Sequence, residues 1–347
     1  MSQRVKIANK MIGENESCFI VAETGSNHDQ KLSQAKQLID IAAGSKVNAV
    51  KFQSYRAEQM VARTKKRIEN GKFDDLKTFY ELYKKTELPW EWLEKLKNYA
   101  ESKNIIFLCS PFDEEAVDKL DALSIPAFKI ASAELSHLSL LEYIAQKKKP
   151  IILSTAMATL GEIERAIEII LKQGNNQIIL MHCAMGYPLK TENANLAVMD
   201  TLSQVFSFPV GYSDHTLGVS VSIAAVARGA RVIEKHFTIS KDLSGPDHSF
   251  ALEPSELNAL VREVRIVEKA IGSSQKKIFD SELIYYLRGR RSIFAKINIP
   301  KGTVIKKKML AILHPGIGIE PEYSNMVVGR KTKTDIKNQE PITWDKI

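Results

Sequence analysis

Residues 209–215 read PVGYSDH, and residues 231–237 read RVIEKHF. Each stretch has an apolar body, then turns polar and acidic, and reaches a histidine: His215 in the first and His236 in the second. Two consecutive strands of that kind describe the mouth of a parallel barrel, because the functional groups of a (β/α)8 barrel stand at the carboxyl ends of its strands. A lone histidine in such a run is more often a satisfied core residue. Two at equivalent positions of successive strands raise a second reading, a divalent-metal site, since neutral imidazole is a metal ligand. Asp214, Glu234 and Asp247 lie close by in sequence.

Six further runs of the same type precede these two, giving eight: 18–25, 49–53, 105–111, 127–132, 150–155, 177–183, 209–215 and 231–237. They are mostly apolar throughout, as strands of a parallel sheet covered on both faces should be. Amphipathic stretches follow them in turn at 31–45, 90–103, 115–123, 138–146, 160–173, 196–206, 219–228 and 254–272. Eight strand–helix units predict a TIM barrel over residues 1–272. No GxGxxG loop follows the first strand, which argues against a doubly wound dinucleotide fold. Residues 54–88 are long for a strand-to-helix connection and read as a lid, partly helical over 79–85. Residues 273–287 read as a linker with a little helix. Residues 288–347 carry short runs (SIFAKINI, TVI, AIL, NMVVG, PITW) broken by Gly and Pro, the pattern of a small β-rich module.

The chain has 347 residues, 44% hydrophobic and 26% charged, a globular balance with ample material for a core. No apolar run approaches the roughly 18 residues a membrane helix needs. The first apolar run is too short for a signal peptide, so a cytoplasmic location is expected. Three cysteines, an odd number without a CxxC pair, read as buried free thiols. The net charge of +8 is uneven: from Lys276 onward 15 Lys and Arg face 7 acidic residues, and the rest is neutral. No nucleic-acid motif accompanies that charge, and nucleic acid is not an expected partner.

The strand ends carry a consistent polar set: Glu23, Lys51, Gln53, Ser110, Lys129, Ser132, Ser154, Tyr187, Ser213 and Glu234, with Asp247 beyond the last strand. Two lysines with several hydroxyls make an oxyanion site plausible, for a phosphate or a carboxylate. Lys129 could instead form a Schiff base, as barrel aldolases do.

The motifs VAETGSNH, AVKFQ, FKIAS, ILSTAM, HC…YP, GYSDHTLG, VIEKHFT and GPDHSFALEP, taken together and in order, resemble the sialic acid synthase family. The segment RGRRSIFAKINIPKGTVI…HPGIGI resembles that family's small antifreeze-like (SAF) domain. The resemblance covers essentially the whole chain. It implies a transferase that condenses phosphoenolpyruvate with an N-acylated mannosamine-type sugar, N-acetylmannosamine or 2,4-diacetamido-2,4,6-trideoxymannose, for surface glycan biosynthesis. It implies that Lys51, Ser110, Lys129, Ser132, Ser154 and Ser213 hold phosphoenolpyruvate, and that Glu23, Gln53, Tyr187 and Asp247 contact the open-chain sugar. Glu234 would support a metal-bound water or take part in proton transfer. His215 and His236 would hold Mn2+, with Mg2+ or Co2+ as alternatives. The SAF domain would cap a neighbouring copy's site in a domain-swapped homodimer. Two positions depart from the family pattern. Met185 stands where HCxNxYP has Asn, and His314 stands where an Arg before Pro-Gly would approach the sugar. The rival readings are a metal-independent Schiff-base aldolase using Lys129 and a non-catalytic sugar-phosphate binding protein.

Overall fold

The computed structural model describes residues 3–64 and 78–347, which divide into two compact units, Met1–Gly272 and Ser273–Ile347. The first unit opens with an antiparallel hairpin, β1 (Val5–Ile7) and β2 (Lys10–Ile12). Eight parallel strands follow: β3 (Phe19–Glu23), β4 (Ala49–Ser54), β5 (Ile106–Pro111), β6 (Phe128–Ile130), β7 (Ile151–Ser154), β8 (Ile178–Cys183), β9 (Val210–Asp214) and β10 (Val232–His236). β10 pairs with β3 and closes the barrel. All eight predicted runs are these strands, and each predicted amphipathic stretch is a helix between or after them.

Period-two alternation sorts the strand residues. One set, including Ile20, Val50, Phe128, Leu180 and Ile233, packs outward against the helices. The opposite set begins apolar at the amino-terminal end, with Phe19, Val21, Leu108, Ile152 and Ile179. Val5, Ile7 and Ile12 of the hairpin join that inner layer. The helices take their places by the same physics. The one over Leu160–Lys172 starts with a capping box between Thr159 and Glu162 and buries Ile163, Ala166, Ile167 and Ile170, one face at helical spacing.

Sequence reading missed the hairpin. Its two-residue turn is Ala8–Asn9, and Ala8 carries the positive φ (50°). Glycine is the residue that signals such a position, so the turn has no sequence signature. The segment read as a lid is helical at Ala57–Met60 and Phe79–Thr86. Its middle, residues 65–77, lies outside the described residues.

The second unit holds two antiparallel strands, β11 (Ser292–Ala295) and β12 (Leu310–Leu313), plus isolated bridges such as Ile299 to Ile336. Ile293, Ile299, Ile305, Ile319, Val327, Ile336 and Ile342 form its core. The run NMVVG, read as strand-like, lies mostly in the helical turn Ser324–Val327. An apolar run this short does not distinguish a strand from a helical turn by periodicity. A short helix, Leu283–Gly289, crosses the expected linker boundary.

Candidate active site

At the carboxyl end of the barrel lies a cavity of about 560 Å3. Every candidate from the first unit lines it: Glu23, Lys51, Gln53, Ser110, Lys129, Ser132, Ser154, Tyr187, Ser213, His215, Glu234, His236 and Asp247. Strand register brings them together. His236 lies beside Glu23, Glu23 beside Lys51, Gln53 beside Ser110, and Ser213 beside Glu234.

The floor is ionic. Lys51 Nζ is 2.6 Å from Glu23 Oε2 and 3.7 Å from Glu234 Oε2, and it donates to Ser110 Oγ at 3.2 Å. Lys129 Nζ is 3.2 Å from Glu234 Oε1, which also accepts from Ser213 Oγ at 3.1 Å. Gln53 Nε2 donates to Glu23 Oε1 at 2.7 Å. Burial opposes the Lys51 ammonium, yet Glu23 and Glu234 outweigh it and hold the amine above its usual range. Burial likewise opposes the Glu234 carboxylate, and Lys129 and Lys51 overcome it, so the group stays well below the ordinary carboxylate range. Four charges are thus sustained in the interior only because they compensate one another.

The histidines stand on one side of this floor. Their ring centroids are 5.7 Å apart, and Tyr187 packs against both, at 4.4 Å from His215 and 5.9 Å from His236. His215 Nδ1 donates to the Ala184 carbonyl at 2.9 Å, which leaves Nε2 as the lone-pair nitrogen. Burial, then the neighbouring His236, pushes His215 down to about 4, so it is neutral at pH 7. Among the described residues, His236 Nδ1 and Ser154 Oγ are buried and have no hydrogen-bond partner. Asp247 accepts from the Ser26 amide and hydroxyl at 2.9 and 3.0 Å. Gly25, with φ +51°, permits this approach: a Cβ there would sit 2.3 Å from Asp247 Oδ2 and 3.0 Å from the His236 ring.

Asp214 does not join its neighbours. It points to the outer face of the barrel, because alternation sends it opposite to Ser213. His314 belongs to the second unit, where its Nδ1 donates to the Arg290 carbonyl at 3.2 Å and its Nε2 accepts from Arg291 Nε at 3.3 Å. Sequence reading missed Ser26, Tyr55, Met60, Tyr83, Phe112 and Cys183, which also line the cavity. Tyr55, Met60 and Tyr83 come from the segment read as a lid, where no strand-end rule singles out a position.

The fold and this ring of ionic and imidazole groups define a (β/α)8 barrel with an ion-paired cavity floor. The chain belongs to the NeuB family, whose profile matches residues 38–276, and the SAF-domain profile matches residues 290–347. It is 39% identical to the N,N'-diacetyllegionaminic acid synthase of Legionella pneumophila, over 96% of each chain. It is 34% identical to the human N-acetylneuraminate-9-phosphate synthase, over 96% of this chain and 93% of that one. The crystal structure of the N-acetylneuraminic acid synthetase of Leptospira borgpetersenii, in complex with citrate, superposes with a TM-score of 0.74 at 36% identity, covering 82% of this chain and 95% of that chain. The protein is therefore an enzyme of the nonulosonic acid synthase family. No helix among the described residues is long and apolar enough to cross a membrane.

Proposed function

We propose that the enzyme condenses phosphoenolpyruvate with the open-chain form of an N-acylated mannosamine-type sugar, releasing phosphate and a nine-carbon 2-keto acid. The observation that carries this reading is the floor: two buried lysines, Lys51 and Lys129, paired with Glu23 and Glu234, with Ser110, Ser154 and Ser213 lining the same cavity. In this reading Lys51, Lys129 and the serines, Ser132 included, receive the phosphate and carboxylate of phosphoenolpyruvate. Its methylene carbon forms the new bond to the sugar aldehyde carbon, and the aldehyde oxygen gains a proton. Water adds to the cationic former enol carbon, and phosphate leaves with cleavage of its bond to that carbon. Glu23, Gln53, Tyr187 and Asp247 orient the sugar hydroxyls.

Electrostatics gives Glu234 a role. Before substrate binds, its two lysines keep it a weak base. A polyanion drawing on the same lysines raises its proton affinity. Glu234 then accepts a proton from the attacking water, so substrate arrival itself prepares the base.

His215 and His236 fit a divalent ion. One presents a bare Nε2 and the other a buried, unpartnered nitrogen. Among the described residues no group of three or more potential ligands converges, so water and substrate oxygens would complete the shell. Bound Mn2+, with Mg2+ or Co2+ as substitutes, would polarise the sugar aldehyde. The Schiff-base alternative needs a neutral amine, and Lys129 is instead ion-paired.

Phosphate release is the test. The enzyme is incubated with Mn2+, phosphoenolpyruvate and either 2,4-diacetamido-2,4,6-trideoxymannose or N-acetylmannosamine. The former is the acceptor we favour, because the relative from Legionella is named for the diacetylated product. Release with neither sugar defeats the reading. We also propose that the second unit serves the active site of a second copy, in a homodimer. Ile278, Phe279, Leu283, Ile284 and Leu287, 39–55% exposed in the chain alone, support an apolar contact there. Light scattering on the full chain should give twice the monomer mass, and His314→Arg should change sugar preference more than phosphoenolpyruvate affinity.

A further inference from the structure

On the outer face of the barrel, behind the two histidines, Asp214 and Lys235 form an ion pair of 2.9 Å. Their side chains are 0% and 2% exposed. Each residue immediately precedes one of the histidines, and β9–β10 register sets them side by side. Asp214 is saturated with donors. Its Oδ1 accepts from the Thr216 amide and hydroxyl, both at 2.8 Å, and its Oδ2 accepts from Ser222 Oγ at 2.6 Å as well as from Lys235. Lys235 Nζ also donates to the Thr216 carbonyl. The network therefore joins β9, β10, the loop after β9 and the helix Ser220–Ala227.

Stability does not account for this arrangement. A buried ion pair costs about as much in desolvation as it returns, and apolar residues of similar volume hold a fold as well or better. Geometry accounts for it. Thr216 is tied to Asp214 through its amide and hydroxyl and to Lys235 through its carbonyl, so His215 is the middle residue of a tripeptide pinned at both ends. Lys235, the residue before His236, then links that tripeptide to β10. A one-residue slip of either strand would turn its imidazole away from the cavity, and the charge pair penalises such a slip, because it would leave two charges buried and apart.

We propose that Asp214 and Lys235 are positioning residues, a buried ion pair that holds the His215 and His236 imidazoles facing each other at the barrel mouth. The inference rests on the metal reading above only for the ligand the imidazoles take.

The test compares the wild type with a double variant, Asp214→Leu with Lys235→Met, by thermal unfolding, 15N-histidine NMR and Mn2+ titration followed by EPR. The double variant should unfold within about 5 °C of the wild type. In the wild type His215 should show a single tautomer protonated at Nδ1; in the variant it should show a mixture. The Mn2+ dissociation constant should rise by roughly tenfold or more. A folded double variant with the wild-type tautomer and wild-type Mn2+ affinity overturns the proposal. If the double variant does not fold, Asp214→Asn, which keeps the shape and the Thr216 contacts, carries the same readouts with the same outcomes. If the wild type takes up no Mn2+, the metal reading fails, and the tautomer comparison still decides the positioning role.

Discussion

The lower and upper halves of the barrel interior are built by the same strands and have opposite chemistry. Below, Val21, Ala49, Leu108, Ala127, Ile152 and Val232 close on the amino-terminal hairpin in an apolar layer. Two residues further along each strand stand Glu23, Lys51, Ser110, Lys129, Ser154 and Glu234, which line the cavity. The layers are about 7 Å apart along the strands. Each Val, Leu or Ile side chain below contributes about 1.5–3 kcal/mol through burial. The charges above repay little beyond their own desolvation. One scaffold thus keeps its stability and its chemistry on the same strands, separated only by height, and changes to the two layers should have separable consequences.

The largest effect is expected at the top. His215→Ala or His236→Ala should reduce phosphate release roughly a thousand-fold, equivalent to about 4 kcal/mol of barrier, with the melting temperature little changed. Activity that survives in either variant after exhaustive chelation would remove the metal from the mechanism. Lys129→Ala comes next. It leaves Glu234 buried with one lysine fewer, and the phosphoenolpyruvate concentration for half-maximal rate should rise by about a hundred-fold, since a charged anion contact is worth about 3 kcal/mol. Borohydride with substrate should trap no adduct on Lys129 of the wild type, as mass spectrometry would check.

The bottom layer should behave in reverse. Ile7→Ala or Ile152→Ala should lower unfolding free energy by about 2–4 kcal/mol through cavity formation. Turnover at a temperature where the variant is folded should be unchanged. A substantial loss of turnover there would mean that the two layers are coupled after all.

A smaller effect concerns pH. His28 is buried, and burial outweighs the attraction of Asp29 and Asp247, helped by repulsion from His248, pushing it down to about 4. Unfolded, it titrates near 6.5. Between these values the unfolded chain binds the proton first. Stability is therefore full above about pH 6.5 and falls as pH drops toward 4, by at most about 3 kcal/mol from this residue. Denaturant titrations of His28→Asn across that range should show a shallower acid limb, with the part due to His215 remaining. An unchanged limb would show that His28 titrates normally.

Strand identity and polar strand ends were legible along the chain because both are local: a short apolar run and the residue types that close it can be read without knowing what packs on them. That reading placed all eight barrel strands, and every first-unit site residue it named lines the cavity. Three features were not legible, each because its partner is remote. The Val5–Ile12 hairpin plugs the barrel although its turn residue Ala8 is not a turn signal, so packing against Leu108 and Ile152 decides its fate. Strand alternation sends Asp214 outward, but that Lys235, 21 residues later, meets it there across the strand register is not written in either stretch. Tyr55 and Tyr83 reach the cavity from a connection whose path depends on the surface it covers. Residue type and spacing set which strands form and what chemistry they carry; which face each side chain takes, and what closes the barrel, depends on contacts between residues far apart in the chain.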